Sequence, residues 1–142
     1  DEVKILKGKT VTSNEQVQPV LDQTELLKMK QEVEAVYVDE RILVYITLLS
    51  QATRDNSYVQ LGLSPRGSIA CAKMAKAWAY LQGRDYVLPE DVVTVFPDIA
   101  RHRIVLNTKA RVAHVSEESV LEEIISQVQQ PASYMQKADY GV

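Results

Sequence analysis

The sequence predicts an all-α protein, a small bundle of about five main helices with at most a two-residue strand pairing. Three observations lead there. Apolar residues recur at three- and four-residue intervals, as at Leu26, Met29, Val33 and Val36 and again at Ile42, Ile46, Leu49 and Thr53. Helix-start chemistry precedes successive stretches, at Asp22, Asp39, Ser64-Pro65, Pro89 and Ser116. Extended character is confined to the short steps Tyr37-Val38 and Tyr86-Val87, which offer each other only a minimal pairing.

Residues 1–7 place acids first and lysines later, with Gly8 as a stop, and read as a short helix. Residues 9–18 are polar without a stable period and read as loop. Asp22 with Glu25 three residues on is a capping-box-like start, and Leu21 and Leu26 sit at staple spacing around it. Asp39 caps the next helix, residues 40–54, where Leu43, Tyr45, Leu48 and Ala52 broaden the stripe begun by Ile42. That helix is apolar over more than half its circumference, which predicts a central position. Asp55-Asn56-Ser57 is turn chemistry and ends it.

The helix that starts at Ser64 carries the sharpest functional signal. Ser64 suits the N-cap and Pro65 the first helical position, where a missing N–H costs nothing. Arg66 then lies in the first turn, beside N–H groups of Gly67 and Ser68 that are expected to be unpaired. A cation at that end opposes the helix macrodipole by about 0.3–1 kcal/mol at low salt. Two readings follow: Arg66 pairs with a surface acid, or it and the backbone donors await a phosphate or carboxylate. Further along, Ala70, Cys71, Ala72, Ala75, Ala77 and Ala79 allow close helix approach, and Gly83 is a left-handed stop. Lys73, Lys76 and Tyr80 share another face, read as a solvated or subunit-contact surface, the alternative being a basic stripe that extends an anion site from Arg66.

Pro89 opens a helix with Glu90 and Asp91 in its first turn, and Leu88 before it supplies no side-chain cap. Pro97 is expected to stop that helix at residue 96, leaving a separate turn over 98–102. Residues 108–115, with His114, read as a connector. Ser116 caps a last helix bearing Val120, Leu121, Ile124 and Val128, closed by Pro131. The remainder, 131–142, lacks an apolar pattern and reads as a flexible tail.

Composition narrows the function classes. The 142 residues suffice for one domain with a core and are short for two. A net charge of −3 gives no general pull toward nucleic acid or anionic membrane. The single cysteine, Cys71, excludes an internal disulfide and a thiolate-cluster metal site, and in its Ala-rich helix it reads as a small buried hydrophobe. His102, between two arginines and without a second ligand nearby, reads as locally hydrogen-bonded or packed. No metal site is expected. No apolar run approaches the roughly 18–20 residues that span a bilayer, and no signal peptide is visible, so a cytoplasmic location is the expectation. The start at Asp1, without methionine, is read as that of a fragment of something longer.

Residues 61–106 resemble the helical lid of the MoxR family of AAA+ ATPases. The resemblance is carried by Gly62-x-Ser64-Pro65-Arg66, then Gly83-Arg84-Asp85-Tyr86-Val87-x-Pro89-x-Asp91-Val92, then Arg101-His102-Arg103-Ile104, in order and at family spacing. It implies an AAA+ lid over residues 1–130, with 1–20 leading in from an ATPase core. It also implies that Arg66 is the sensor-2 residue, reaching the terminal phosphates of ATP from the first turn formed with Ser64 and Gly67. Arg66 is then the residue that takes part in the chemistry, and Mg²⁺ is held by the core. The implied partners are that core, further copies in a ring (a hexamer), and a von Willebrand A-type protein; the implied work is maturation of protein complexes. This chain has no Gly-x-x-x-x-Gly-Lys-Ser/Thr loop and no strand ending in an acidic pair, so by itself it is not expected to hydrolyse ATP or bind it tightly. The competing reading is a freestanding helical adaptor or a histone-like DNA-binding bundle, since a Gly-Arg-x-x-Val…Asp-Val step also occurs in histone-type helices. The acidic balance opposes DNA binding.

Overall fold

A computed structural model describes residues 2–10 and 18–132. Expectations for residues 11–17 and for the tail from residue 133 onward lie outside the described residues. The chain divides into two compact units, Asp1–Gln31 and Glu32–Val142, with the boundary inside a helix.

The first unit holds α1 (Glu2–Thr10) and the beginning of α2 (Gln23–Ala35). Gly8 does not stop α1, which runs on to Thr10. A glycine inside a helix costs only about 1 kcal/mol and lacks the steric block of proline. The Asp22 box forms in both directions: the Glu25 N–H donates to Asp22 Oδ1 at 2.7 Å, and the Asp22 N–H donates to Glu25 Oε2 at 2.9 Å. Of the expected stripe, Leu26 is exposed, Met29 and Val33 are half-buried, and only Val36, past the helix, is buried.

The second unit contains the core. Asp39 caps α3 (Glu40–Asp55) by accepting from the Arg41 N–H at 2.9 Å. Ile42, Tyr45, Ile46 and Leu49 turn inward as their spacing predicts, whereas Leu43, Val44 and Leu48 are about half exposed. The apolar arc of α3 is thus only partly covered, and its broadening by Leu43 and Leu48 is corrected. After α3 comes β1 (Val59–Leu61), which pairs antiparallel with β2 (Val105–Leu106) through a bulge, Val59 opposite Leu106 and Leu61 opposite Val105. Tyr37 and Tyr86 make the parallel bridge expected of their steps: the Tyr37 N–H donates to Asp85 O at 2.8 Å and the Val87 N–H to Tyr37 O at 3.0 Å.

α4 (Pro65–Leu81) packs its small residues Cys71, Ala75 and Ala79 inward, and Gly83 terminates it at φ 75°. α5 (Pro89–Ala100) corrects the expected break, since it continues through Pro97 for another turn. Proline in a helix interior costs about 3 kcal/mol. Burial of Val95, Phe96, Ile99 and Ala100 on one face offsets that. The expected connector after β2 is in part a short helix, α6 (Thr108–Val112), capped by Asn107 Oδ1, which accepts from the Ala110 N–H at 3.0 Å. His114, at φ 54°, turns the chain beyond it. Ser116 caps α7 (Glu117–Gln127), whose Val120, Leu121 and Ile124 close the core. That makes seven helices and one two-stranded sheet among the described residues.

The turn between α4 and α5 is fixed by charge. Asp91, 3% exposed, takes a two-pronged ion pair from Arg84, with Nη1 at 2.7 Å and Nη2 at 2.5 Å, and also accepts from the Leu88 N–H at 2.7 Å. Leu88 thus lacks a side-chain cap, yet Asp91 binds its backbone from within the helix. The Asp91 bond holds the Arg84 guanidinium above its ordinary ionisation range. Removing one member of a buried pair costs about 3–5 kcal/mol. Because Arg84 stays one-fifth exposed, Asp91→Ala is expected near the lower end of that range, measured by urea denaturation. Cys71 is inaccessible, and burial pushes its thiol up to about 12. A free thiol ionises near about 8.5. The folded state therefore keeps its full thiol contribution below that value and loses it as pH rises toward 12. Thiol reagent at pH 8 should modify Cys71 only as fast as the protein opens.

Candidate functional site

The start of α4 is built from its own cap and from the end of α3. Ser64 is extended, at φ −75° and ψ 162°, and its Oγ accepts from the Gly67 N–H at 3.3 Å. The Ser68 N–H donates to the Ser64 carbonyl at 3.1 Å. The expectation of open donors at Gly67 and Ser68 is therefore corrected: the Ser64 cap satisfies the first and the first intrahelical bond the second. Gly67 serves packing instead: a Cβ there would stand 2.4 Å from Cδ1 of the fully buried Leu63.

Arg66 is exposed, and its guanidinium has no ion-pair or hydrogen-bond partner among the described residues. Of the two sequence readings, pairing with a surface acid is not what the structure contains. Ile69, Met74 and Leu81 on the same helix are also exposed, at 58, 47 and 67%, together with Lys73. At 100° per residue they fall on the arc centred near Arg66. The result is an apolar helix face with a cation at its N-terminal end.

What fixes this helix start is a grip on one residue. The Leu63 N–H donates to Thr53 Oγ1 at 2.8 Å, and its carbonyl accepts from Arg54 Nε at 2.9 Å. Thr53 in turn donates to the Ser50 carbonyl at 2.6 Å, and the Ser50 and Ser68 hydroxyls lie 2.8 Å apart. Gly62 makes the approach possible, since a Cβ there would meet the Arg54 backbone at 2.7 Å. No local signal in the sequence marks these residues of α3, where Thr53 reads only as part of an apolar stripe.

Against this geometry the AAA lid domain family model matches residues 51–124, just over half of the chain, from the end of α3 into α7. The chain belongs to the AAA lid domain family. Among its relatives, the uncharacterized protein YeaC of Bacillus subtilis is 39% identical over 117 residues, covering 82% of the chain and 37% of that protein. The chaperone MoxR1 of Mycobacterium tuberculosis is 32% identical over 125 residues, covering 82% of the chain and 33% of that protein. A crystal structure of a candidate ATPase from Cytophaga hutchinsonii superposes with a TM-score of 0.77 at 32% identity, covering 92% of the chain and 43% of that structure. The relatives place the lid with those of MoxR-type AAA+ ATPases. The chain spans about a third of the length of the curated relatives it matches.

The remaining charged residues of the lid are mostly engaged. Lys76 Nζ donates to the Glu34 carbonyl, and the Tyr80 hydroxyl to Glu32 at 2.6 Å, a bond that favours the protonated phenol and raises its pKa. Lys76 and Tyr80 are therefore tied to the end of α2, whereas Lys73 stays with Arg66 on the exposed arc. Arg101 pairs with Asp98 at 2.7 Å and approaches Glu118 at 3.6 Å. Arg103 Nη1 donates to Ile99 O at 2.9 Å while its stem lies against Gly67. His102 and His114 are exposed, and among the described residues no three His, Cys, Asp or Glu side chains gather as a metal would require. Among the same residues, no helix of the lid is long and apolar enough to cross a membrane.

Gly62→Ala should separate α4 from α3 and destabilise the lid by about 1–3 kcal/mol or more, as overpacking does. Urea denaturation measures this; a wild-type midpoint would refute the close approach.

Proposed function

We propose that this lid is the nucleotide-responsive part of a MoxR-type AAA+ ATPase, with Arg66 as its sensor-2 arginine. The observation that carries the reading is the free guanidinium of Arg66 on a helix start that is otherwise fully tied down. An arginine placed against the helix dipole and left unpartnered is relieved when an anion arrives. ATP, held with Mg²⁺ by a core domain, would supply the negative charge of its triphosphate at that point. The Arg66 side chain fits such a group because a guanidinium binds phosphate oxygens with directed donors. Ser64 and Gly67 belong to the site as its support, Ser64 by capping the helix and Gly67 by admitting Leu63 beneath it.

Arg66 would donate to the terminal phosphate and hold the lid closed on its core, the apolar face with Ile69 and Met74 being covered in the same movement. One charged hydrogen bond is worth about 1.5–3 kcal/mol, enough to bias a two-state closure and too little to switch it fully. The covered apolar area therefore shares the work. When the phosphate leaves, Arg66 loses its acceptor and the lid is released. In a ring of subunits, a hexamer in this reading, that rotation displaces neighbours and remodels a client complex, alone or with a von Willebrand A-type partner in the cytoplasm. The chaperone name of the mycobacterial relative supports this use.

In the complete ATPase, Arg66→Ala should slow ATP turnover at least about tenfold, the equivalent of about 1.4 kcal/mol, with helical content unchanged. Turnover at the wild-type rate in a folded variant would remove Arg66 from the mechanism.

A further inference from the structure

We propose that Arg54, at the end of α3, is a positioning residue for Arg66, which it governs through the Leu63 peptide. The inference rests on the sensor reading of Arg66. Consecutive α3 side chains satisfy both backbone polar groups of Leu63: Thr53 accepts its N–H and Arg54 Nε donates to its carbonyl. A residue bound at both polar groups has neither of its flanking peptide planes free to turn. It stands immediately before the Ser64 cap, so its orientation sets the axis along which α4 leaves the turn. The buried Leu63 side chain, lodged under Gly67, fixes the same segment from its other side.

Arg54 is an unusual choice for this task if stability alone were at stake. A cation in the last turn of α3 interacts favourably with that helix's dipole without binding anything. Here its Nε is instead committed to a carbonyl nine residues away, and Gly62 has no side chain to obstruct the approach of the Arg54 backbone. The anchoring extends into α4 through the Ser50–Ser68 hydroxyl contact. Three α3 residues therefore hold the turn and first helical residues around Arg66, while the Arg66 side chain itself is left unheld. That division suits a long side chain that must meet an acceptor carried by another domain: the base is fixed and only the tip searches. Misplacement by about 1 Å at a reacting group can cost on the order of a hundredfold, so an anchor at Leu63, three positions before Arg66, bears on its contact.

The test uses the complete ATPase with Arg54→Met, which keeps the stem over Gly62 and removes the donor, and Arg66→Ala, singly and together. The measurement is the ratio of ATP to ADP affinity by displacement of a fluorescent nucleotide, with thermal midpoints alongside. A purely structural role lowers the active fraction and leaves that ratio alone. Positioning predicts that Arg54→Met reduces the preference for ATP about three- to tenfold in the wild-type background and less than about twofold once Arg66 is alanine, the non-additivity of residues acting as one unit. An unchanged ratio, or an equal loss in both backgrounds, overturns the proposal while leaving Arg66 in place. If Arg66→Ala alone leaves the ratio unchanged, the sensor reading fails and this inference falls with it. Should Arg54→Met unfold at assay temperature, Ser68→Ala, which removes the hydroxyl contact to Ser50 along with a long 3.5 Å one to the Ser64 carbonyl, is read by the same criteria.

Discussion

The Leu63 peptide, held between Thr53 and Arg54, is the contact on which the arrangement of the site depends. It joins the end of α3 to the beginning of α4. Buried backbone groups must find partners, and here they find side chains rather than a strand or a helix ladder. The bonds thereby set where a loop stops and a helix begins. Gly62 and Gly67 serve the same junction from either side, since each occupies space in which a methyl group would collide with Arg54 or Leu63.

From that junction follows the contrast at the mouth of α4. The backbone donors nearest Ser64 are satisfied locally, so this is no generic anion nest. In the proposed reading charge recognition falls to the Arg66 side chain instead, with Lys73 exposed on the same arc. Lys76, Arg84 and Arg101 are drawn into contacts within the lid, and Arg66 is left facing outward. A folded domain tolerates an arginine at the wrong end of a helix because the opposing term is small in water, roughly 0.3–1 kcal/mol. The same arginine gains a stronger interaction once a phosphate is brought to it.

Much of the fold was legible because its signals are local. Asp22 with Glu25, Asp39, Ser64 with Pro65, Gly83 and Ser116 each act within four residues, and each does in the structure what its chemistry requires. The misreadings have a common origin in tertiary structure. Pro97 breaks an isolated helix, but the buried face of α5 carries the chain past it. The β1–β2 pair joins segments more than forty residues apart through strands of three and two residues, too short for any period to register. Asn107 gives no readable cap signal because the helix behind it is short, only Thr108–Val112. At the site, Arg66 could be found from helix-start chemistry and motif resemblance. The grip that holds its helix could not, because Thr53 and Arg54 act on a residue ten and nine positions away across a turn.

The role of the lid turns on whether Arg66 meets a phosphate that another domain holds. The most direct measurement is a structure of the complete ATPase bound to a non-hydrolysable ATP analogue. The Arg66 guanidinium is expected within charge-assisted hydrogen-bond distance, about 2.7–2.9 Å, of a terminal phosphate oxygen, with the Leu63 bonds to Thr53 and Arg54 intact. An Arg66 that points to solvent or pairs with an acid of the core, while other residues hold that phosphate, would contradict it.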